Sequence, residues 1–184
     1  MKIMPMSTYK PLLPLSCAIL FGAMGIGEAA AQGLPPPFTE YAAKFACGQV
    51  PPVPPGGGDA DVVVGVYATS INIHNPQAKL DMKFLKKAVL ANQEGTQFTP
   101  IRVFPVVPLP PDQAERVDCP MLFHLFQISP KTHIEGFVVI EIPPNAAGTT
   151  ALTLDVVGKY SARPANGQVS SFDVVVYNPK QITQ

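Results

Sequence analysis

Charge is scarce in this chain. Only 14% of the 184 residues are charged, with 13 basic and 13 acidic side chains, whereas soluble domains average about 25%. A chain with no excess of positive charge does not attract phosphate backbones, so nucleic acid is not an expected partner. The one local basic cluster, Lys83, Lys86 and Lys87, is interpreted as the solvent-facing side of a strand.

Residues that carry metal or catalytic chemistry are also few. There are three cysteines and three histidines, and there is no C-x-x-C or G-x-S-x-G segment. Zinc sites need three or four closely spaced Cys or His ligands. Ser70 and His74 on one strand would lie about 13 Å apart, too far for a nucleophile and its base, and Asp59 and Asp61 lack the rest of a calcium loop. We therefore expect no enzyme, no catalytic residues and no cofactor.

The first 31 residues have the three-part pattern of a secretory signal peptide. Two lysines precede an apolar run at 11–27, and the small side chains of Ala29 and Ala31 allow cleavage before Gln32. The run is shorter than the ~20 residues that span a membrane comfortably, so an uncleaved anchor is the less favoured alternative. Lipidation at Cys17 would cut the apolar run short. We expect an exported bacterial-type protein, periplasmic or secreted, with no stable membrane span after cleavage.

Cleavage at that point leaves two cysteines, Cys47 and Cys119, in an oxidising compartment. An even pair under those conditions predicts a disulfide, with free buried thiols as the alternative. Loss of two lysines and one glutamate with the signal peptide leaves 11 basic and 12 acidic side chains. The mature chain is therefore nearly neutral.

Hydrophobic residues make up 47% of the chain, and proline occupies 22 positions. This composition supplies a core and suits short strands joined by irregular loops better than long helices. Runs of β-branched or alternating residues predict strands at 41–47, 62–73, 80–90, 101–107, 114–119, 136–142, 151–160 and 169–177. We expect an all-β fold of seven or eight short strands, an antiparallel two-sheet sandwich of immunoglobulin-like class. A jelly roll or a small barrel stays open as an alternative.

The chain divides into four parts on this interpretation: a signal peptide at 1–31, an extended proline-rich lead-in at 32–40, a β-sandwich domain at 41–178 and a tail at 179–184. Within the domain, Pro105 makes 101–107 an edge strand, and the apolar run at 136–142 predicts a central strand. Lys86 interrupts the apolar face of 80–90, which favours a bulge or an edge position. Segment 121–128 is interpreted as a helical turn, and the PPVPPGGGDAD segment as an exposed loop.

Several short segments occur in an order that resembles a group of short exported bacterial proteins of uncharacterised function. The matching pieces are 44–48 (KFACG), 71–76 (INIHNP), 135–140 (EGFVVI) and 154–157 (LDVV), with Lys86-Lys87 and Val117-Asp118-Cys119 between them. The resemblance covers roughly residues 41–177 and departs at the PPVPPGGGDAD insert and at the aromatic stretch after Cys119. It implies the β fold and the Cys47–Cys119 pair, and it implies no activity.

The function favoured by these patterns is a non-catalytic exported module that contacts an unknown protein or an envelope component. An edge strand able to accept a partner strand supports this hypothesis. The apolar stretch 121–126 predicts a contact surface centred on Phe123 and Phe126, because exposed aromatic residues seldom cluster without a partner.

The alternative function is a periplasmic carrier of copper or of a small ligand. Soft thioether and imidazole ligands suit Cu(I), and Met121 and His124 are three residues apart, so they meet on one helical turn. Met82 is a conceivable third ligand. His74, between Asn72 and Asn75-Pro76, is expected to order its turn through hydrogen bonds to backbone, with ligand contact as the second possibility.

Overall fold

Nine strands and one helix occur among the residues that the computed structural model describes, namely 38–52, 63–92, 95–144, 152–164 and 171–182. The elements are β1 (Phe38–Val50), β2 (Gly65–His74), β3 (Leu85–Leu90), β4 (Arg102–Val103), β5 (Ala114–Asp118), α1 (Cys119–Phe126), β6 (Ile134–Ile142), β7 (Asp155–Pro164), β8 (Ser171–Tyr177) and β9 (Lys180–Ile182). The predicted signal peptide, most of the lead-in and most of the PPVPPGGGDAD loop, with Asp59 and Asp61, lie outside the described residues.

The strands pair antiparallel in the order β4-β3-β6-β1-β2-β7-β8, while β5 also pairs with β2 and β9 with β1. The predicted all-β antiparallel class is confirmed. So are the central position of β6, between β3 and β1, and the edge position of β4. Helix α1 confirms the helical turn predicted after the second cysteine.

Several predicted boundaries are wrong, among them that of the strand at 101–107, which is reduced to Arg102–Val103. Strand β1 begins at Phe38, inside the predicted lead-in, because Phe38–Glu40 pair with β9. Strand β9 lies inside the predicted tail. It forms by pairing with β1, which is distant in the chain, so the local sequence does not predict it. Strand β3 begins only at Leu85, and Met82 makes a single isolated bridge with Leu109. Its register with β6 is unbroken, so the predicted bulge at Lys86 is absent, and β3 lies between two strands rather than at an edge.

Strand β1 changes its pairing partner at Gly48. Residues Thr39–Cys47 pair with β6, and Gly48–Val50 pair with β2. Gly48 has a φ of +98°, and a Cβ there would lie 2.0 Å from the carbonyl oxygen of Thr132. Only glycine fits both the backbone conformation and this close approach, so this residue allows one strand to take part in both ladders.

Side-chain hydroxyls complete the edge of β1 that faces away from β6, between the residues that pair with β9 and those that pair with β2. The Thr69 hydroxyl donates to Ala46 O (2.9 Å) and accepts from the Ala46 N–H (3.0 Å). The Tyr160 hydroxyl donates to Lys44 O (2.5 Å), and the Lys44 N–H donates to the Tyr177 hydroxyl (3.1 Å). Backbone groups that a neighbouring strand would otherwise satisfy are therefore bonded by residues from β2, β7 and β8.

Cys47 and Cys119 form a disulfide, with 2.00 Å between their sulfurs, as the cysteine count predicts. It ties β1 to the first residue of α1, and the Thr69 N–H donates to the Cys119 sulfur at 3.1 Å. Helix α1 begins there because the Asp118 side chain accepts from the Met121 N–H, and it ends where Gln127 adopts a left-handed conformation.

The hydrophobic core gathers the inward faces of these strands and one face of α1. Its fully buried members include Tyr41, Phe45, Ile71, Ile73, Leu122, Val138, Ile140 and Val156. The predicted alternation of β7 is confirmed, since Leu154, Val156 and Gly158 are all buried. Tyr41 also holds the start of β7, because its hydroxyl donates to Leu154 O and accepts from the Leu154 N–H.

Candidate binding groove

An apolar groove of about 550 Å³ opens where the ends of several strands meet. Its apolar lining consists of Phe38, Phe84, Leu85, Val106, Pro143 and Pro144. Ligand sites in proteins fall in this range of volume and are lined mainly by apolar and aromatic groups. The groove therefore has the volume and the lining of a candidate binding site.

Local sequence explains why the groove forms there. Strand β6 ends at Ile142 because Pro143 and Pro144 have no N–H with which to continue a ladder. Pairing of Thr39 with Ile142 brings Phe38 beside the two prolines. Pairing of Leu85 with Glu141 brings the start of β3 to the same place. The sequence signals that could have revealed the groove are this proline pair after a central strand and the aromatic residue just before β3.

The charges at the groove do not cancel. The Glu141 carboxylate on β6 accepts a hydrogen bond from the Lys87 ammonium on the neighbouring strand β3. Lys83, at the groove wall, is exposed and forms no ion pair with any of the described residues. The cation that remains available to an occupant is thus Lys83, which favours an occupant with a carboxylate.

Lys86 lies beneath this end of the sheet and corrects the sequence interpretation. As part of the basic cluster it is expected to face solvent with Lys83 and Lys87, whereas the alternation of 80–90 puts it on the apolar face. It is buried, on the inward face of β3, as the alternation predicts. Its ammonium lies 2.6 Å from Glu115 Oε1 and between 5.7 and 5.9 Å from the ring centres of Phe84 and Phe104. The carboxylate and the two ring faces compensate the buried charge, and the pair supports the groove residue Phe84.

His74 lies between two carboxylates at the far end of β2. Its Nδ1 is 2.9 Å from Asp155 Oδ2, and its Nε2 is 3.2 Å from Asp112 Oδ1. Hydrogen bonds to Asp155, and then to Asp112, raise the pKa of His74 above its ordinary value. Both ring nitrogens contact carboxylates, so the His74 side chain links the start of β7 to the turn before β5 and does not bond to backbone as predicted.

Asn75, not His74, orders the turn. Its buried side-chain amide donates to the carbonyls of Leu80, Leu109 and Pro110, and its Oδ1 accepts from the Gln77 N–H. These bonds hold the segment after β2 against the segment before β5 and thereby place Met82 opposite Leu109. The INIHNP segment therefore has a structural role, because it ends β2 in a turn that the Asn75 side chain holds by hydrogen bonds.

The predicted contact surface at Phe123 and Phe126 is wrong. Both side chains are buried, at 8% and 6% exposure, and belong to the core together with Leu122. Helix α1 has one apolar face, and the disulfide at its first residue turns that face inward. Of the remaining side chains of the stretch, Met121 and His124 are exposed and Leu125 is half-buried against the core.

The three predicted copper ligands do not form one set. Met82 is buried, at 1% exposure, near the start of β5, whereas α1 begins where β5 ends. Five strand residues span about 13–17 Å, so Met82 is separated from Met121 and His124, which face solvent. Within the described part of the chain, no three His, Cys, Asp or Glu side chains are placed to hold a metal ion.

Comparisons with protein families, with curated proteins and with solved structures give no match to this chain. Across the described ranges, no helix has the length and apolar character that a membrane crossing requires. The groove therefore has to be interpreted from its own chemistry. Its lining offers apolar surface, two exposed proline rings and one available cation.

Proposed function

We propose that this chain is an exported, non-catalytic β-sandwich module that binds an extended segment of a partner protein in the groove between Phe38, Phe84 and Pro143. The observation that carries the proposal is the groove itself, an apolar site of about 550 Å³ beside Lys83. The segment we infer combines apolar side chains with an acidic residue. The partner is a protein of the compartment into which the chain is exported.

A peptide segment fits the groove better than a small ligand because an edge strand lies next to it. Val106 lines the groove three residues after β4, which is a terminal strand in the sheet order. A segment running along β4 could bond its backbone while inserting alternate side chains into the groove, which is the usual mode of strand addition to a sheet edge. The short length of β4 leaves most of the affinity to the groove.

Export and the two-sheet arrangement belong to the same proposal. The signal-peptide pattern at 1–31 supports export, and the disulfide between Cys47 and Cys119 is at home in an oxidising compartment. The change of partner along β1 at Gly48 supports two packed layers that share one strand. Intact mass of the exported protein should correspond to a chain that begins at Gln32, and a chain that retains the first 31 residues would contradict cleavage.

Selection of a displayed peptide library on the immobilised protein tests the groove. We expect enriched peptides that combine apolar residues with Asp or Glu, and we expect Val106→Arg to weaken them at least tenfold. Val107→Arg is the matched control, because Val107 is a neighbouring valine with similar exposure, 58% against 56%, that does not line the groove. Equal retention by the two arginine variants would contradict the proposal.

A second variant and its control test the expected preference for acidic peptides. Lys83→Glu should weaken acidic peptides at least tenfold, whereas Lys79→Glu, an exposed lysine four residues away and outside the groove, should not. Dodecanoate serves as the competing probe. If it occupies the groove and no displayed peptide does, the site is a lipid site and the peptide proposal is overturned.

A further inference from the structure

Strand β8 presents an open edge. Among the described residues it pairs with β7 on one side and with no strand on the other. At its midpoint, the Val174 N–H donates to the carboxylate of the preceding Asp173 at 2.8 Å instead of to a neighbouring strand. Unpaired strand edges are templates for pairing with another chain, and a carboxylate on the adjacent residue is a replaceable partner for such an N–H.

The outward row of β8 is apolar. Phe172, Val174 and Val176 are exposed at 57%, 53% and 67%, whereas Asp173, Val175 and Tyr177 point to the opposite side and line a cavity with Lys44 and Tyr160. The strand has seven residues and lacks the proline or lysine that commonly protects an edge. The other edge strands differ: β4 has two residues, β9 has three, including Lys180, and β5 has five, of which three are charged.

We propose that two copies of this chain pair through β8, antiparallel and centred on Val174. This inference is independent of the groove. In that register Phe172 faces Val176 of the second copy, and the two outward rows join into one apolar stripe across the dyad. A two-fold contact needs a surface that is complementary to itself, and a strand paired with its own copy about a central residue satisfies this condition.

The charges of the strand permit this register. Asp173 faces Val175 of the second copy, so no two carboxylates lie directly opposite each other. The ammonium of Lys159 lies 5.0 Å from the ring centre of Phe172 on the same outward face, which places a cation beside each end of the stripe. At neither end of the two paired strands do like charges therefore lie opposite each other across the two-fold axis.

The contact area sets the strength of the dimer. The exposed parts of three apolar side chains amount to roughly 300 Å² per copy, well below the ~800 Å² of a standard stable interface. The dimer is thus expected to be weak and reversible. Self-association of this kind would give a tethered or locally concentrated module two grooves, and hence avidity for a repeated partner.

Sedimentation velocity of the full exported protein over a wide concentration range tests the dimer. We expect a monomer at low concentration and a dimer at high concentration, and at least tenfold weaker association for Val174→Lys. Val66→Lys is the matched control, since Val66 is an exposed valine of β2, away from the β8 edge. A wild-type chain that stays monomeric at all concentrations, or a Val174→Lys variant that associates like wild type, would overturn the inference.

A cysteine at the dyad gives a second readout that does not depend on a charged variant folding well. Val174→Cys should form an intermolecular disulfide under mild oxidation, because Val174 faces itself across the dyad, whereas Val66→Cys should not. A dimer that Val174→Cys fails to trap, or one that the groove variant Val106→Arg abolishes, would place the contact elsewhere and overturn the inference. Peptide binding by a Val174→Lys monomer separates this result from the groove proposal.

Discussion

The ammonium of Lys86 on β3 lies 2.6 Å from the carboxylate of Glu115 on β5, although these strands belong to different ladders. Strand β3 pairs with β4 and β6, and β5 pairs with β2. The Lys86 side chain is 7% exposed and that of Glu115 is 26% exposed. The ion pair is therefore a cross-connection between two parts of the sheet, close to the apolar groove.

Glu115→Ala should destabilise the protein by about 2–3 kcal/mol, because it leaves a buried ammonium without its carboxylate. Lys86→Met should cost less than about 1 kcal/mol, because methionine fills a similar volume between Phe84 and Phe104 and the half-buried Glu115 can turn to water. Urea unfolding of both variants measures the difference. If Lys86→Met lowered the unfolding free energy more than Glu115→Ala, the buried Lys86 ammonium would not depend on the Glu115 carboxylate for compensation.

His74 should make stability depend on pH. Its folded pKa is raised by Asp155 and Asp112, so the folded state binds the proton more tightly than the unfolded state. The stabilisation is complete below about pH 6.5, the ordinary histidine value, and is lost as pH rises through the raised folded pKa. The difference in unfolding free energy between wild type and His74→Gln should therefore be larger near pH 6 than near pH 9.

His124→Gln is the control for that comparison. His124 is exposed on α1, and no carboxylate of the described residues forms an ion pair with it. Its substitution removes an exposed imidazole that has no such carboxylate partner in the part of the chain that the structure describes, so it should not reproduce the effect of His74→Gln. A His74→Gln variant whose stability follows that of wild type at every pH would contradict the two-carboxylate arrangement.

Tyr160 and Tyr177 should act as a unit. Their hydroxyls contact each other and bond the backbone of Lys44, and burial followed by the bond to Tyr177 raises the pKa of Tyr160. A Cβ at Gly158 would lie within 2.9 Å of both side chains, so this glycine makes room for them. Each Tyr→Phe change should cost about 1–2 kcal/mol, and the double variant should cost less than the sum.

A double-mutant cycle by chemical denaturation measures that coupling. The control is Tyr67→Phe, because the Tyr67 hydroxyl donates to Val63 O in an exposed position and does not touch β1. Additive effects of Tyr160→Phe and Tyr177→Phe would show that the two hydroxyls support β1 independently.

The disulfide should supply a large share of the stability. It closes a loop between residues 72 positions apart, for which the chain-entropy relation gives about 4 kcal/mol. Removal of both sulfurs by Cys47→Ala with Cys119→Ala should lower the unfolding free energy by about 2–4 kcal/mol. A change below about 0.5 kcal/mol would mean that the unfolded chain is compact even without the cross-link.

Much of the fold could be predicted because its signals are local. Alternation along β7 and the apolar run of β6 reflect burial on one or both faces, and the proline in 101–107 marks an edge. The parity of the cysteines predicts their pairing. Strand β9 escaped prediction because three residues carry no periodicity, and its identity comes from pairing with Phe38–Glu40.

The errors at the candidate sites have a different cause. Phe123 and Phe126 were placed on the surface because an aromatic cluster alone does not say which way a helix faces, and the Cys47–Cys119 link determines that direction. Lys86 was placed in water because lysine is seldom buried, and only a distant carboxylate makes its burial possible. The groove joins residues from four separate segments of the chain, so no single segment contains it.

The sequence by itself determined the strand-rich class, the cysteine pair, the helical turn and the expectation of export, because composition, parity and short-range periodicity act through neighbouring residues. Tertiary structure alone decided which polar groups enter the interior, which face of α1 is covered and where the groove opens. The physical reason is that these outcomes depend on contacts between residues far apart in the chain, such as Lys86 with Glu115, whose free energy exists only once the strands have come together.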